Sequence, residues 1–271
     1  MHEITASIVQ GSAVGPVSYV VTAADLRPTT PGNELCKYAD DTYVVIPASN
    51  VDTRLIELSN VEHWAQKNNL RLNRSKTTEI IFFDRRRQDY YQRPAEIPGI
   101  SRVTSVKILG VTVTDSLSMS LHVQKILSSC SQTLYALKTL RAQGLNSIAL
   151  RNIYRSVVLA KIMYAVSAWY GYTTQADRQR IDSLFTKGKR SGFCPPDLPT
   201  FAELSHDADN KLFAAVLNNS AHVLYRLLPP KSTALQLYNL RPRVHDRQLP
   251  LKLNRLSDFN FIHRMLYLDS Y

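Results

Sequence analysis

The sequence predicts an α+β fold, and three observations carry that prediction. Short β-rich apolar runs bounded by turn residues crowd into the first 115 positions. After Asp115 the apolar period switches to that of helices. The 271 residues are 44% hydrophobic and 20% charged, the composition of a chain with a real core and enough length for one to two domains.

Taken in order, residues 4–26 start apolar, break at Gly11, Gly15 and Pro16, and resume as a helix from Val17 to Leu26. Pro28 to Gly32 is a turn cluster. The runs Leu35 to Ala39 and Thr42 to Ile46 flank Asp40 and Asp41, which reads as a hairpin. Leu55, Leu58, Val61, Trp64 and Ala65 recur at helical intervals over 52–70. Thr78 to Phe83 predicts a strand, and so does Val106 to Thr114, alternating around Gly110. Beyond Asp115, helices are expected through Leu121 to Leu140, through Ile148 to Val158, and from Gln175 to Gly188. Cys194-Pro195-Pro196 breaks the chain. Thr200 and Glu203 form the signature of a capping box, and Lys211 to Leu228 is helical in pattern up to Pro229-Pro230. The Arg-rich last forty residues carry a weaker signal.

Charge narrows the function. The chain has 33 Lys+Arg against 22 Asp+Glu, a formal net charge of +11. Residues 1–60 hold three basic and seven acidic side chains, a balance of −4, so the other 211 residues carry +15. An acidic head on a basic body fits a cation site beside a polyanion track. Residues 71–107 hold nine basic side chains, among them Arg85, Arg86, Arg87 and Lys107, and residues 138–190 hold ten basic against two acidic. Such surfaces give salt-sensitive, sequence-independent contact with phosphates. Three dispersed cysteines imply no disulfide framework. The histidines lack the spacing of a zinc site. With no signal peptide and no long apolar run, the expectation is a soluble intracellular protein, cytoplasmic or nuclear, without a membrane partner.

The chemistry centres on Asp40 and Asp41. Adjacent carboxylates at the tip of an apolar hairpin repel, and a hard divalent ion with oxygen ligands, Mg²⁺ or Mn²⁺, would neutralise them. A polar hairpin turn explains the same pair without an ion. Lys76 reads either as a solvated strand-edge charge or as a phosphate contact or general acid.

The wider pattern bears on such readings. Gln10-Gly11-Ser12 with Gly15-Pro16, a following helix, and Tyr38-Ala39-Asp40-Asp41 resemble two adjacent motifs of reverse transcriptases. Asn69 to Thr77 is similar to the next palm motif, and Lys107 to Asp115 to the strand pair beyond it. The helices after it resemble the thumb of the non-LTR (LINE-type, jockey/CR1-like) branch. The resemblance runs over roughly residues 7–190. It implies a partial polymerase palm of antiparallel strands and helices over 1–115, a helical thumb over 116–192, and a basic helical extension over 193–271. It implies metal ligation and catalysis by Asp40 and Asp41, with Lys76 near the nucleotide phosphates. Gln10, Gly11 and Ser12 would form the nucleotide and template pocket. The implied partners are an RNA template, a DNA primer duplex and dNTP.

The family's first catalytic aspartate precedes the Gln-Gly-Ser motif, and this chain begins nine residues before Gln10. The expectation is therefore weak Mg²⁺ binding and no polymerisation by this chain alone. Two other functions stand beside that one: a non-catalytic nucleic-acid-binding remnant or host-adapted RNA-binding protein, and a metal-independent helical interaction protein.

Overall fold

The structure is a computed structural model that describes residues 20–83, 93–232, 245–252 and 255–268. It is a mixed α+β chain, mostly helical with small sheets, and it divides into two units, Met1–Thr104 and Ser105–Tyr271.

In the first unit, a short 3-10 turn, Ala23–Asp25, ends the segment expected to be a helix, whose residues before 20 lie outside the described set. Strands β1 (Glu34–Tyr38) and β2 (Asp41–Val45) pair antiparallel with Leu35 opposite Val44 and Tyr38 opposite Asp41. Helix α1 (Arg54–Lys67) follows. Its buried stripe is Glu57, Val61 and Ala65, spaced by one helical turn each. Leu55, expected on the apolar face, is instead 57% exposed, because the face that turns inward belongs to Glu57.

The expected strand from Thr78 to Phe83 forms only at β3 (Thr78–Glu79), parallel to β4 (Ser101–Arg102). The Val103 amide donates to the Glu79 carbonyl, and there the ladder stops. The partner strand is two residues long, so beyond Glu79 the β-branched Ile80 and Ile81 have no ladder partner among the described residues. The Glu79 carboxylate ties the pair together, meeting Arg54 at 2.6 Å and Arg102 at 2.7 Å.

The second unit opens on a hairpin where the residues alone suggested one strand. Strands β5 (Ser105–Ile108) and β6 (Val111–Thr114) meet at Leu109-Gly110, both with positive φ (+44° and +91°). That backbone is the one a two-residue hairpin loop requires.

Helix α2 (Ser120–Ala142) buries Val123, Ile126, Leu127, Cys130, Leu134 and Leu137, the stripe its apolar period predicts. Helix α3 (Ser147–Ile153) starts where the Asn146 side chain accepts the Ala149 amide at 2.8 Å. It runs through a π-turn, Tyr154–Leu159, into α4 (Ala160–Met163). Ala165 then takes the left-handed conformation and breaks the path before α5 (Val166–Trp169). Helices α6 (Gln175–Arg190) and α7 (Phe201–Asn218) each begin with a reciprocal capping box, Thr174 with Asp177 and Thr200 with Glu203.

Trp169, Tyr154, Val158, Ile162, Ile181 and Phe201 make the centre of this core. Each buried side chain of that size contributes about 1.5–3 kcal/mol. Gly188 lets α6 approach the π-turn: a Cβ there would lie 2.7 Å from the Tyr154 hydroxyl.

The helical pattern through Leu228 is not continued. Helix α7 ends at Asn218, the Asn219 carboxamide accepts the Ala221 amide, and a 3-10 turn at Tyr225–Leu227 follows. Asparagine offers the backbone this local alternative to a helix. Helix α8 (Arg255–Phe259) leads into α9 (Phe261–Tyr267), whose Phe261, Ile262, Met265 and Leu266 cluster with Phe213 and Val216 of α7. Arg264 locks the join, reaching Asp209 at 2.6 Å and the Ser167 carbonyl at 3.3 Å. No described helix is long and apolar enough to cross a membrane.

Candidate functional site

The Tyr38-to-Asp41 hairpin is built from its base upward. Asn33 is buried just before β1 and donates to Glu57 at 2.9 Å and to Thr53 at 3.0 Å. Asn50, just after β2, donates to the Asn33 side-chain oxygen at 3.0 Å and to the Pro31 carbonyl at 2.9 Å. The two ends of the hairpin are thereby cross-braced. Glu57 also accepts the Thr29 and Thr30 amides at 3.1 and 2.8 Å. Burial alone would push its carboxyl up, but the donors from Asn33, Thr30 and Thr29 outweigh it and hold the pKa at about 2.

At the tip, Ala39 and Asp40 form a two-residue turn and Ala39 sits at φ +50°. A non-glycine residue there is uncommon and marks a turn held in place by its surroundings. Asp40 and Asp41 are both exposed, on consecutive positions of that turn and strand end. The Tyr43 hydroxyl donates to Asp41 at 3.4 Å. Tyr38 is 64% exposed. The strand's alternation turns it away from the Lys37 side, which meets the preceding turn. Among the described residues no group of three or more His, Cys, Asp or Glu side chains could enclose a metal. Two hard oxygen donors on an exposed turn do suit a divalent ion that keeps water or phosphate as its other ligands.

Lys76 lies on an exposed turn after α1, where the Asn73 side chain accepts its amide at 3.3 Å. No hydrogen bond or ion pair joins it to Asp40 or Asp41 among the described residues. Lys107 is exposed on β5, in the second unit, opposite Thr112. Gln10, Gly11, Ser12, Arg85, Arg86 and Arg87 lie outside the described residues. Of the predicted site residues, the structure brings together Asp40 and Asp41. Lys138, Arg141, Arg151, Arg155, Lys161, Arg180, Lys187 and Arg190 of the second unit are all exposed, as a phosphate-binding surface requires.

Two supporting residues escaped the sequence reading. Glu57 had a signal: it falls on the same helical stripe as Val61 and Ala65, so its carboxylate had to be buried and paired. Lys37 had none, because its partners are backbone carbonyls.

Residues 2–113 match the family model of reverse transcriptase (RNA-dependent DNA polymerase). The chain is 28% identical, over 95% of its length, to the RNA-directed DNA polymerase from mobile element jockey of Drosophila melanogaster, covering 28% of that protein. It is 25% identical over 69% of its length to the probable RNA-directed DNA polymerase from transposon BS of the same organism, covering 22% of it. The jockey polymerase of Drosophila funebris is likewise 25% identical, over 68% of this chain and 21% of its own length. No solved structure matches significantly. The chain thus spans between about a fifth and 28% of the curated relatives it matches. Residues 2–113 are similar to the reverse transcriptases, and the chain is similar along most of its length to the jockey-type RNA-directed DNA polymerase.

Proposed function

We propose that this chain is the Asp40–Asp41 part of an RNA-directed DNA polymerase: a partial palm over 1–115, a thumb over 116–192, and a basic helical extension over 193–271. The observation that carries this reading is the antiparallel pairing of Tyr38 with Asp41, which puts Asp40 in the turn and leaves both carboxylates open to solvent. Divalent ions such as Mg²⁺ would supply activation of the attacking hydroxyl and stabilisation of the leaving pyrophosphate in nucleotidyl transfer. Asp40 would hold such an ion, with Asp41 beside it. Lys76 contacts the nucleotide phosphates, and Gln10, Gly11 and Ser12 shape the pocket for template and dNTP. Arg85, Arg86, Arg87 and Lys107 contact the backbone of the RNA template and DNA primer.

On this reading the other acidic metal ligand belongs to polymerase sequence outside these 271 residues, so the chain alone binds Mg²⁺ weakly and does not extend a primer. Primer extension on an RNA template tests both halves. The chain alone should give no product, and a chain lengthened upstream should give product that Asp40→Ala abolishes. Product from the chain alone that disappears in Asp40→Ala would overturn the inactivity. Product that persists in Asp40→Ala would overturn the site.

The exposed cations of the second unit support a second reading, a non-catalytic nucleic-acid-binding protein. Its mark is duplex binding that weakens with salt and is indifferent to Asp40→Ala, with no extension from any length of chain.

A further inference from the structure

The hairpin tip has little apolar support. Tyr38 is 64% exposed, and Asp40 and Asp41 are exposed. The base is braced through Asn33 and Asn50, but the last residues of β1 reach beyond that brace. What meets them is the 3-10 turn Ala23–Asp25. Lys37, one residue before Tyr38 and three before Asp40, places its ammonium on two carbonyls of that turn's end, Ala23 at 2.5 Å and Leu26 at 2.7 Å. Cations suit such a place, because the final carbonyls of a helical turn are unpaired and partly negative.

The turn is itself fixed from the other side. Trp64 of α1 donates its indole N–H to Asp25 at 2.7 Å, and Asn60 donates to the Arg27 carbonyl at 2.8 Å. Ala23 and Leu26 are buried at 3% and 4%. A continuous set of contacts therefore runs from α1, through the turn, into the strand that carries the carboxylates. Lys37 is the link to that strand. Its charge is engaged by carbonyls, so it does not compete as a cation for Asp40 or Asp41.

We infer that Lys37 is a positioning residue for the metal site: by tying β1 to the Ala23–Asp25 turn it holds the Asp40 and Asp41 carboxylates in one orientation. The inference rests on the polymerase reading above and deepens it. An ammonium at this place makes two bonds from one point. A methionine fills the same space and makes neither. An arginine retains the donors.

The test uses the whole 271-residue chain with Mn²⁺ as the probe, read by paramagnetic broadening of backbone amide signals at residues 38–42. That method follows weak binding and needs no polymerase activity. Thermal unfolding of each variant is recorded alongside. Lys37→Met should weaken the apparent Mn²⁺ affinity about tenfold, because loosely held ligands give up their geometric advantage. Lys37→Arg should stay within about twofold of the parent, since it keeps donors for both carbonyls. Asp40→Ala should abolish the broadening.

If Asp40→Ala abolishes broadening while Lys37→Met leaves the affinity unchanged, the positioning role is overturned and the metal site stands. If Lys37→Arg fails as badly as Lys37→Met while unfolding normally, the tie to the two carbonyls is not what matters, and the inference is likewise overturned. If broadening is absent in the parent, or is the same in Asp40→Ala, the metal-site reading itself falls and takes the inference with it.

Discussion

Glu57 accepts the Asn33 side-chain amide at 2.9 Å in a site where the glutamate has no exposed surface. That contact fastens α1 to the residue that leads into β1, so the support of the candidate site depends on a buried charge. Thr29 and Thr30 supply the other two donors to the same carboxylate.

The first prediction concerns this carboxylate. Glu57→Gln keeps the volume but turns an N–H₂ toward backbone amides that need an acceptor. The expected loss is about 2–3 kcal/mol, the cost of leaving buried donors unsatisfied. Glu57→Ala should lose more, through the added cavity. Trp64 lies in this unit and Trp169 in the other, so urea unfolding followed by fluorescence in a Trp169→Phe background reports on the first unit.

The same group sets an acid limit. Its folded pKa of about 2 lies below the ordinary 4.5, so the unfolded chain takes up a proton where the folded chain does not. The stabilisation is complete above about pH 4.5 and drains away as pH falls toward 2. Midpoints measured from pH 6 to 3 should fall, and Glu57→Gln should flatten part of that slope.

His122 behaves in the same direction at a milder pH. Its ring is buried, accepts the Thr112 amide at 3.3 Å and stands edge-on to Trp169 at 5.1 Å. Burial, helped by the charge of Lys125, holds its pKa below the ordinary 6.5. The unfolded histidine charges first as pH drops, so stability present above about 6.5 is lost below it. In a Trp64→Phe background, Trp169 fluorescence should show the urea midpoint declining from pH 7.5 to 5. His122→Gln should be less stable at pH 7.5 and show a shallower decline.

How much of this was legible in the sequence follows from where the information resides. The Asp40–Asp41 hairpin, the α2 stripe and the Thr200–Glu203 capping box are local patterns, and each appears where its spacing puts it. The strand past Glu79 and the helix past Asn218 failed because propensity there lacks a partner or meets a competing local bond. Non-local pairings had no spacing to betray them. Lys37 on the Ala23 carbonyl, and Arg264 on Asp209 across 55 residues, exist only once the chain has folded.

That last pair gives a further prediction. Asp209 is 1% exposed and Arg264 is its ion partner at 2.6 Å, with the Ser167 carbonyl also on the guanidinium. Arg264→Met should destabilise the second unit by about 3–5 kcal/mol, because it strands a buried carboxylate. Adding Asp209→Asn should recover part of that loss, and the double-mutant cycle should give a coupling energy of at least about 1 kcal/mol. A coupling near zero would mean that Asp209 does not depend on Arg264 for compensation.

The final prediction tests why α6 packs so closely on the π-turn. A methyl at Gly188 would sit 2.7 Å from the Tyr154 hydroxyl, 2.8 Å from Cε2 and 2.9 Å from Cζ. Tyr154 is 1% exposed and cannot swing into solvent without leaving the core. Overpacking of this kind costs about 1–3 kcal/mol, well above the small gain in helix propensity from Gly to Ala. Gly188→Ala should therefore lower the urea midpoint of the second unit. Tyr154→Phe removes the nearest of the three atoms and leaves the ring, so Gly188→Ala with Tyr154→Phe should recover some of the loss but not all. If Gly188→Ala were neutral, the helix could shift by a few tenths of an ångström without penalty, and close approach would not be the reason for the glycine. If the double variant were no better than Gly188→Ala alone, the ring rather than the hydroxyl would set the limit.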